Sequence, residues 1–251
     1  MFKLLGFENL PVELLHEVQL FVVSEHLPHI SRYFHDVFKH ASPHFSAQYL
    51  LFRIEDEADL DTSEIYTHAL RYPICSQPVL HALHSVMKHR PRKGKGYVHL
   101  PTRLFRSLVS PASVWTTKDE PIPFLRYLFD TPGIPKIDTN YPDGYALTKA
   151  VHARSIPLVE LLLEHHASPK HRDNLSVKVA IRQKDLLMVK LLVERRLAKK
   201  GKNKKRKLED RVQLDSMLLK IAVSVGATDI VDYLYKEKGV VPDVQTLKNL
   251  R

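Results

Sequence analysis

The sequence predicts an all-α fold, in which a helical-repeat solenoid follows a short helical hairpin. The main evidence is an apolar pattern that recurs in residues 122–129, 156–163, 186–193 and 228–235. In the last three copies an alanine stands nine positions before the aligned valine, and these alanines are Ala150, Ala180 and Ala222. A repeated unit of this kind cannot bury its apolar face alone, so it must stack on copies of itself. Such an array presents a surface, and we therefore expect a function in binding.

The spacing of the copies is close to regular. The step from Leu125 to Val159 is 34 residues, and the step from Val159 to Val189 is 30. The next step, to Val231, is 42 residues, because a lysine-rich insertion lies between the two copies. Removing about ten residues for that insertion restores a period of about 32, which is in the range of helical repeats.

Residues 143–169 form the clearest copy. Asp143-Gly144 suits a turn with positive φ, Ala150 lies in a first helix, and a leucine-rich second helix follows. This order resembles the ankyrin repeat, although the threonine-proline-leucine-histidine signature of that family is absent. His166 stands where the family has a left-handed glycine, a conformation that histidine adopts more readily than most residues. The resemblance covers roughly residues 62–245 and implies an ankyrin-like solenoid.

Two weaker copies precede residue 143. One has Thr116 at the alanine position, with Trp115 beside it, and the other runs through residues 65–83 with one extra residue between its helices. Pro123 and Pro157 occupy the same place in two copies, where a second helix begins, and proline is favoured in a first helical turn. The alternative is a non-repetitive helical bundle whose leucine stripes align by coincidence.

The first 45 residues predict a separate helical module. Asn9 can cap a first helix, in which apolar residues recur with helical spacing as far as Val22. Pro28 interrupts the pattern, and residues 30–38 supply a second amphipathic helix.

The order Leu-Pro-x-Glu-Leu-Leu, followed by Ser-Arg-x-Phe-x-x-x-Phe, resembles an F-box, and fungal proteins that join an F-box to degenerate ankyrin copies share this layout. The family docks on the Skp-type adaptor of cullin-based ubiquitin ligases. Two parts of its pattern are missing, since His26-Leu27-Pro28 replaces an acidic-leucine pair and Phe38 replaces a tryptophan. A second reading of the hairpin is an N-terminal cap that covers the first repeat. The resemblance assigns adaptor binding to Leu10, Pro11, Leu14, Leu15, Val18, Ile30, Ser31 and Arg32.

Composition indicates a globular protein in a reducing compartment. The chain has 251 residues, of which 44% are hydrophobic and 26% charged, enough for one or two domains. Cys75 is the only cysteine, so an internal disulfide and a cysteine-based zinc site are both excluded. The apolar N-terminal stretch is too short for a secretory signal, and no run approaches the roughly 20 apolar residues of a membrane span. We expect no membrane partner and a location in the nucleus, the cytoplasm or both.

The positive charge is concentrated in one loop. The formal net charge is +10, and residues 199–207 carry seven positive charges, which leaves +3 for the rest of the chain. This run has the composition of a nuclear-import signal and would then bind an importin. Salt-dependent contacts with phosphates are a second reading, but no aromatic residues interleave with the basic ones, which disfavours nucleic acid. The third interpretation of this run is an insertion that binds no partner. Residues 88–96 form a second, weaker basic stretch. The charged residues of the run are Lys199, Lys200, Lys202, Lys204, Lys205, Arg206 and Lys207.

The sequence contains no catalytic or cofactor motif. Its 15 histidines are scattered, and the pair at helical spacing, His40 and His44, is interrupted by Ser42-Pro43. Cys75 has no fixed partner and is expected to be unreactive. A nucleophile elbow, a P-loop and a dinucleotide fingerprint are all absent from the sequence. We therefore predict that the protein is not an enzyme and has no catalytic residues, metal site or cofactor.

These patterns predict a protein–protein interaction adaptor with an F-box-like module at 1–45 and a degenerate ankyrin-like array at 62–251, interrupted by the basic loop at 199–207. The expected role is to recruit a client protein to a cullin–RING ubiquitin ligase. The alternative is a non-degradative ankyrin scaffold with a nuclear-import signal, in which the hairpin is only a cap. Partner choice would be set by polar residues along the turns and first helices, namely Asp143, Tyr145, Lys149, His171, Arg172 and Asp173.

Overall fold

The computed structural model describes residues 6–55, 60–89, 94, 96–109, 115–194 and 211–249. Within these residues the chain is mainly helical, and the two short strands β1 (Val98–His99) and β2 (Ile137–Asp138) pair with each other. The all-α class is thereby confirmed. The helices are α1 (Val12–Val22), α2 (Arg32–Lys39), α3 (Pro43–Glu55), α4 (Thr62–Arg71), α5 (Gln77–Met87), α6 (Arg103–Arg106), α7 (Ile122–Asp130), α8 (Tyr145–His152), α9 (Ile156–Glu164), α10 (His171–Arg182), α11 (Leu186–Val193), α12 (Ser216–Ser224), α13 (Thr228–Asp232) and α14 (Val244–Asn249).

The chain divides into two compact units. The first contains Met1–Val98 and Tyr127–Ile137, and the second contains His99–Arg126 and Asp138–Arg251. The chain therefore passes between the units within β1, within α7 and within β2. The predicted division between residues 45 and 62 followed sequence patterns and not compactness, and it stays a prediction.

The first unit begins with a module of three helices, α1 to α3. Its core consists of Leu15, Phe34, Phe38 and Phe45, which come from all three helices. The rings of Phe34, Phe38 and Phe45 stack in series with centroids 6.3 Å apart at each step, an offset separation at which aromatic pairs attract. A few large side chains thus hold together a module too small to have an extensive core.

Local signals explain where the helices of this module begin. The Ser31 hydroxyl accepts a hydrogen bond from the Phe34 amide, so Ser31 is the N-cap of α2. The Ser42 hydroxyl accepts one from the Phe45 amide in the same way, and Pro43 follows as the first residue of α3. Asn9, the cap expected from the sequence, instead lies in a 3₁₀ turn, and α1 begins after Pro11.

In the rest of the first unit, α3 packs against both α4 and α5. These two helices correspond to the copy predicted over residues 65–83, and five residues, 72–76, separate them. The Tyr66 hydroxyl and His84 Nδ1 join α4 to α5 at 2.7 Å. His81 Nδ1 and the Tyr127 hydroxyl join α5 to the end of α7 at 2.9 Å.

The second unit contains three hairpins, α8–α9, α10–α11 and α12–α13, with the same turn in each. The carbonyl of the repeated alanine accepts a hydrogen bond from the amide five residues later: Ser155 to Ala150 at 3.0 Å, Asp185 to Ala180 at 3.2 Å, and Ala227 to Ala222 at 3.0 Å. One residue earlier the backbone is left-handed each time, with φ of 54° at Arg154, 56° at Lys184 and 66° at Gly226. The alanine spacing noticed in the sequence therefore corresponds to a repeated backbone geometry.

The hairpins pack through their first helices. α8 contacts α10, α10 contacts α12, and α12 contacts α14, while α6 lies on the other side of α8. The buried residues occupy the same positions in each first helix, four and three residues before the alanine and at the alanine itself. Consecutive turns are also joined directly, because Arg154 Nη2 donates to the Gln183 carbonyl at 3.3 Å and Gln183 Nε2 donates to the His152 carbonyl at 2.8 Å.

Several details depart from a regular repeat. Thr116, predicted at the alanine position of one copy, lies outside any helix, and its amide bonds to Asp119 Oδ2 at 2.6 Å. Residues 172–174 take left-handed angles within α10. α13 continues into a π-helical turn, Tyr233–Glu237, which accommodates one extra residue at the end of that hairpin. His166 has φ of 67°, as its position in place of a glycine predicted.

Candidate functional site

An apolar stripe runs along the outer face of α1. Leu14, Val18, Phe21 and Val22 recur at helical spacing and lie on one side of the helix. Phe21 is 92% exposed and Leu14 44% exposed, while Val22 is also exposed and Val18 half-buried. We call these four residues the α1 stripe. Exposed apolar residues that are clustered in this way, and not scattered singly, are typical of interaction surfaces.

The inner face of α1 explains why the stripe stays outside. Leu15 is fully buried and Gln19 is 1% exposed, so a polar side chain occupies the core side of the helix. Gln19 Nε2 donates to the Ser24 carbonyl at 2.6 Å, and the Tyr49 hydroxyl donates to the same carbonyl at 3.2 Å. These bonds satisfy Gln19 Nε2 and the Ser24 carbonyl and orient α1 against α3, although the buried Gln19 Oε1 has no hydrogen-bond partner among the described residues. Turning the stripe inward would break them.

α3 also holds the end of α1 through Arg53. Its Nη1 donates to the Val23 carbonyl at 3.5 Å, and its Nη2 lies 3.4 Å from Glu25 Oε2. A side-chain hydrogen bond with Tyr72 raises the Arg53 pKa, and burial raises the pKa of Tyr49 beside it. Arg53 is therefore charged and Tyr49 neutral at physiological pH, as the bonds to the two carbonyls require.

The residues assigned to adaptor binding by the F-box resemblance occupy different environments. Pro11, Leu14, Ile30 and Arg32 are exposed, and Ile30 reaches 67%. These four, together with the half-buried Val18, are accessible to a partner.

The other three assigned residues stabilise the module. Leu15 lies in its core, and Leu10 packs against that core. Ser31 accepts the capping hydrogen bond of α2. A direct contact with an adaptor is therefore not available to Leu15, and this part of the assignment is corrected. Phe21 and Val22 were omitted from the assignment, although their spacing from Leu14 was visible in the sequence.

The predicted partner-binding residues of the second unit meet at the start of α8 and α10. Asp143 Oδ2 and Arg172 Nη2 form an exposed ion pair at 3.4 Å. His171 packs against Gly144, where an added Cβ would lie 2.8 Å from the His171 Cβ. Asp173 is exposed beside Arg172. The turn before α8 and the turn at the start of α10 therefore form one continuous polar surface.

Tyr145 and Lys149 extend this surface along α8. They are four residues apart and share one half-buried face of the helix, adjacent to the face of the buried Ala146 and Ala150. Three further cations lie on the next first helices, although not at the position of Lys149, which is one residue before Ala150: Lys178 and Lys220 lie two residues before their alanines, and Arg182 lies two residues after Ala180. Sequence reasoning missed these three, although counting from the repeated alanines would have found them. We call Lys149, Lys178, Arg182 and Lys220 the basic strip.

The described residues contain no group of three or more His, Cys, Asp or Glu side chains placed to hold a metal ion. Cys75 is buried. The lowered pKa of Asp61 arises from its hydrogen bond with Ser63 and from its capping of α4, so it reflects a structural role. The basic run 199–207 lies outside the described residues, as does much of the weaker stretch 88–96.

Across the described ranges, no helix is long and apolar enough to cross a bilayer.

Comparison with known proteins gives no relative. No family model matches the chain, and neither a curated protein nor a solved structure matches it.

Proposed function

We propose that this protein recruits a client protein to a cullin–RING ubiquitin ligase, and that its N-terminal module docks on a Skp-type adaptor through the α1 stripe. The observation that carries the proposal is the exposure of Phe21 and Leu14 on a helix whose core side contains Gln19. The F-box resemblance supplies the identity of the partner. The three-helix module and its small aromatic core are consistent with such a docking unit.

The energetics of the α1 stripe favour a partner. Fully burying a side chain of the size of Phe or Leu is worth about 1.5–3 kcal/mol, and the module gains little of this from Phe21 and only part of it from Leu14. Large apolar residues at the centre of an interface often dominate its binding energy. An adaptor that covered the stripe would bury this surface together with Ile30.

We further propose that the hairpins of the second unit are ankyrin-like repeats, which would present the client-binding surface. The support is the equivalent hydrogen bond at Ala150, Ala180 and Ala222 and the packing of successive first helices. A surface built from repeated helices can be changed residue by residue without altering the fold, which suits a recruiter.

A second candidate is a non-degradative scaffold whose N-terminal module is only a cap. The packing of α3 on α4 and α5 favours it, since the module then covers the helices that follow. The exposed α1 stripe distinguishes the two, because a cap needs a polar outer face.

The decisive experiment is co-purification of the full chain with a Skp-type adaptor. We expect wild-type protein to retain the adaptor and the double variant Leu14→Ser, Phe21→Ser to lose it. The matched control is Leu187→Ser, Val241→Ser, which replaces two exposed apolar residues of the second unit and should bind normally. Absence of adaptor from the wild-type eluate would favour the scaffold, and normal binding by the α1 variant would show that the stripe is not the docking face.

A further inference from the structure

The first helices of the second unit have an uneven charge distribution. α8 and α12 contain no acidic residue, and α10 contains only Asp173, near its start. The carboxylates of these hairpins lie instead on second helices, such as Glu160 and Glu164 of α9, or in turns, such as Asp185, which caps α11. The outward face of the first helices is therefore positive, and the carboxylates lie on α9, on α13 and in the turns.

Within the described residues, three cations of the basic strip have no ion-pair partner. Lys149, Lys178 and Arg182 make no side-chain salt bridge there, whereas the nearby Arg172 is paired with Asp143. Lys220 donates to Gln245 Oε1 at 3.3 Å, and its charge contributes to the lowered pKa of Asp243, which the hydrogen bonds of Thr246 lower more. The α8 and α10 part of the strip thus carries uncompensated charge on packed helices.

Apolar side chains lie between these charges. Val179 and Ile221 occupy the position one residue before the repeated alanine, where α8 has Lys149. Tyr145 and Met217 extend the same face towards the helix starts, and Met217 is exposed. A surface that mixes cations with aliphatic and aromatic groups suits a ligand that has both carboxylates and apolar side chains.

We propose that the basic strip binds an extended acidic peptide segment of the client, with apolar residues between its carboxylates; this rests on the proposed function as a recruiter. The geometry suits such a segment. Packed helices lie about 8–10 Å apart, and three residues of extended chain span about 10 Å. A carboxylate at every third residue would therefore meet α8, α10 and α12 in turn, and the intervening apolar residues would contact Val179 and Ile221.

A nucleic acid fits this surface less well. A single strand presents one phosphate about every 3.4 Å, several times denser than one cation per helix. The exposed aliphatic groups between the cations also have no role in phosphate binding. Sequence-independent binding of nucleic acid is accordingly an outcome of the test and not part of the proposal.

The test is fluorescence anisotropy with the full chain and no adaptor. The probe is a short fluorescein-labelled peptide with glutamate at every third position and leucine or valine between. The strip variant is Lys149→Glu, Lys178→Glu, Arg182→Glu. Its matched control is Lys118→Glu, Arg126→Glu, Lys136→Glu, which makes the same charge change at exposed positions elsewhere. A third variant replaces Lys204, Lys205 and Arg206 of the basic run by glutamine and reports any contribution from that loop.

We expect the strip variant to bind the peptide at least about tenfold more weakly than wild type, and the control and loop variants to stay within about threefold. Circular dichroism checks that each variant is folded; if the strip variant is not, Lys149→Gln, Lys178→Gln, Arg182→Gln replaces it. Equal weakening by strip and control variants would overturn the proposal. The proposal would also be overturned if single-stranded DNA of equal charge bound more tightly than the peptide and lost affinity in the strip variant to the same extent. The assay contains no adaptor, so its result does not depend on adaptor docking. A failure of the peptide-binding proposal can therefore be told apart from a failure of the proposed adaptor docking.

Discussion

Gly144 lies so close to His171 that a Cβ atom at position 144 would be 2.8 Å from the histidine Cβ. Its φ of 70° is also left-handed. Two physical requirements, conformational freedom and the absence of a side chain, thus coincide at the residue that begins α8. The contact joins the turns of two consecutive hairpins, so this glycine sets how closely they stack.

Replacing Gly144 by alanine should therefore lower the free energy of unfolding more than the same change at another left-handed glycine. Gly226 is the matched control, because its φ is 66° and nothing lies within 4 Å of an added Cβ. We expect Gly226→Ala to cost about 1–2 kcal/mol from backbone strain, and Gly144→Ala to cost about 1–3 kcal/mol more because a tightly packed contact must give way. Urea unfolding of both variants measures the difference, and equal losses would show that the contact with His171 is relieved without cost.

Leu14 and Leu15 are neighbours with opposite roles. Leu15→Ala should destabilise the first unit by about 2–5 kcal/mol, because it leaves a cavity among Phe34, Phe38 and Phe45. Leu14→Ala should change stability by no more than about 0.5 kcal/mol while weakening adaptor binding. Thermal unfolding together with adaptor co-purification separates the two effects. A large loss of stability in Leu14→Ala would mean that the α1 stripe is structural.

The repeated alanine of α10 should tolerate no larger residue. Ala180 is fully buried, with α8 packed on one side of its helix and α12 on the other. Ala180→Leu should therefore cost about 1–3 kcal/mol from overpacking. Val179→Leu adds volume at the adjacent, half-buried position and should be close to neutral. Denaturant titration compares the two, and similar values would contradict close packing of the first helices.

The capping box of α4 should make stability depend on acid pH. Asp61 Oδ1 accepts from the Glu64 amide at 2.9 Å, and the Asp61 amide donates to Glu64 Oε2 at 2.8 Å. The hydrogen bonds lower the Asp61 pKa in the folded state, with that of Ser63 contributing most. The stabilisation is thus present above the unfolded pKa of about 3.9 and is lost as pH falls through the lower folded value.

Asp61→Ala should cost about 0.5–2 kcal/mol near neutral pH, and Asp61→Asn should keep most of the cap while removing its part of the acid dependence. Unfolding curves measured from neutral pH down to below pH ~3 test both expectations. An unchanged pH profile in Asp61→Asn would show that another carboxylate controls the acid limb.

The sequence predicted the hairpins of the second unit because their determinants are local. The spacing of Ala150, Ala180 and Ala222 from their valines is a property of one helix, one turn and the next helix, and the backbone follows it. Thr116 shows the opposite case: it lies outside any helix, although the leucine-rich helix α7 that follows it fits the pattern. The spacing of apolar residues within one helix does not determine which other helix it packs against.

The candidate sites show a second reason why a structural feature could not be predicted from the sequence. Periodicity places Leu14 and Phe21 on one face of α1 and Leu15 on another, yet both faces contain leucine, so the sequence cannot say which is buried. That choice is made by Gln19, whose bond to the Ser24 carbonyl depends on the chain turning back after α1. The basic strip likewise requires three helices to be side by side before Lys178 and Lys220 can be seen as equivalent.

The position of α10 between α8 and α12 has a consequence for local opening. Melting the central hairpin would uncover the buried faces of both neighbours and break the bonds of Gln183 with the adjoining turn, whereas an outer hairpin can detach by losing one such face. The amide protons of the α10–α11 turn should therefore exchange with solvent more slowly than those of the outer hairpins. We therefore expect partial unfolding of this unit to proceed from its margins inward, with the segment that carries Lys178 and Arg182 the last to unfold.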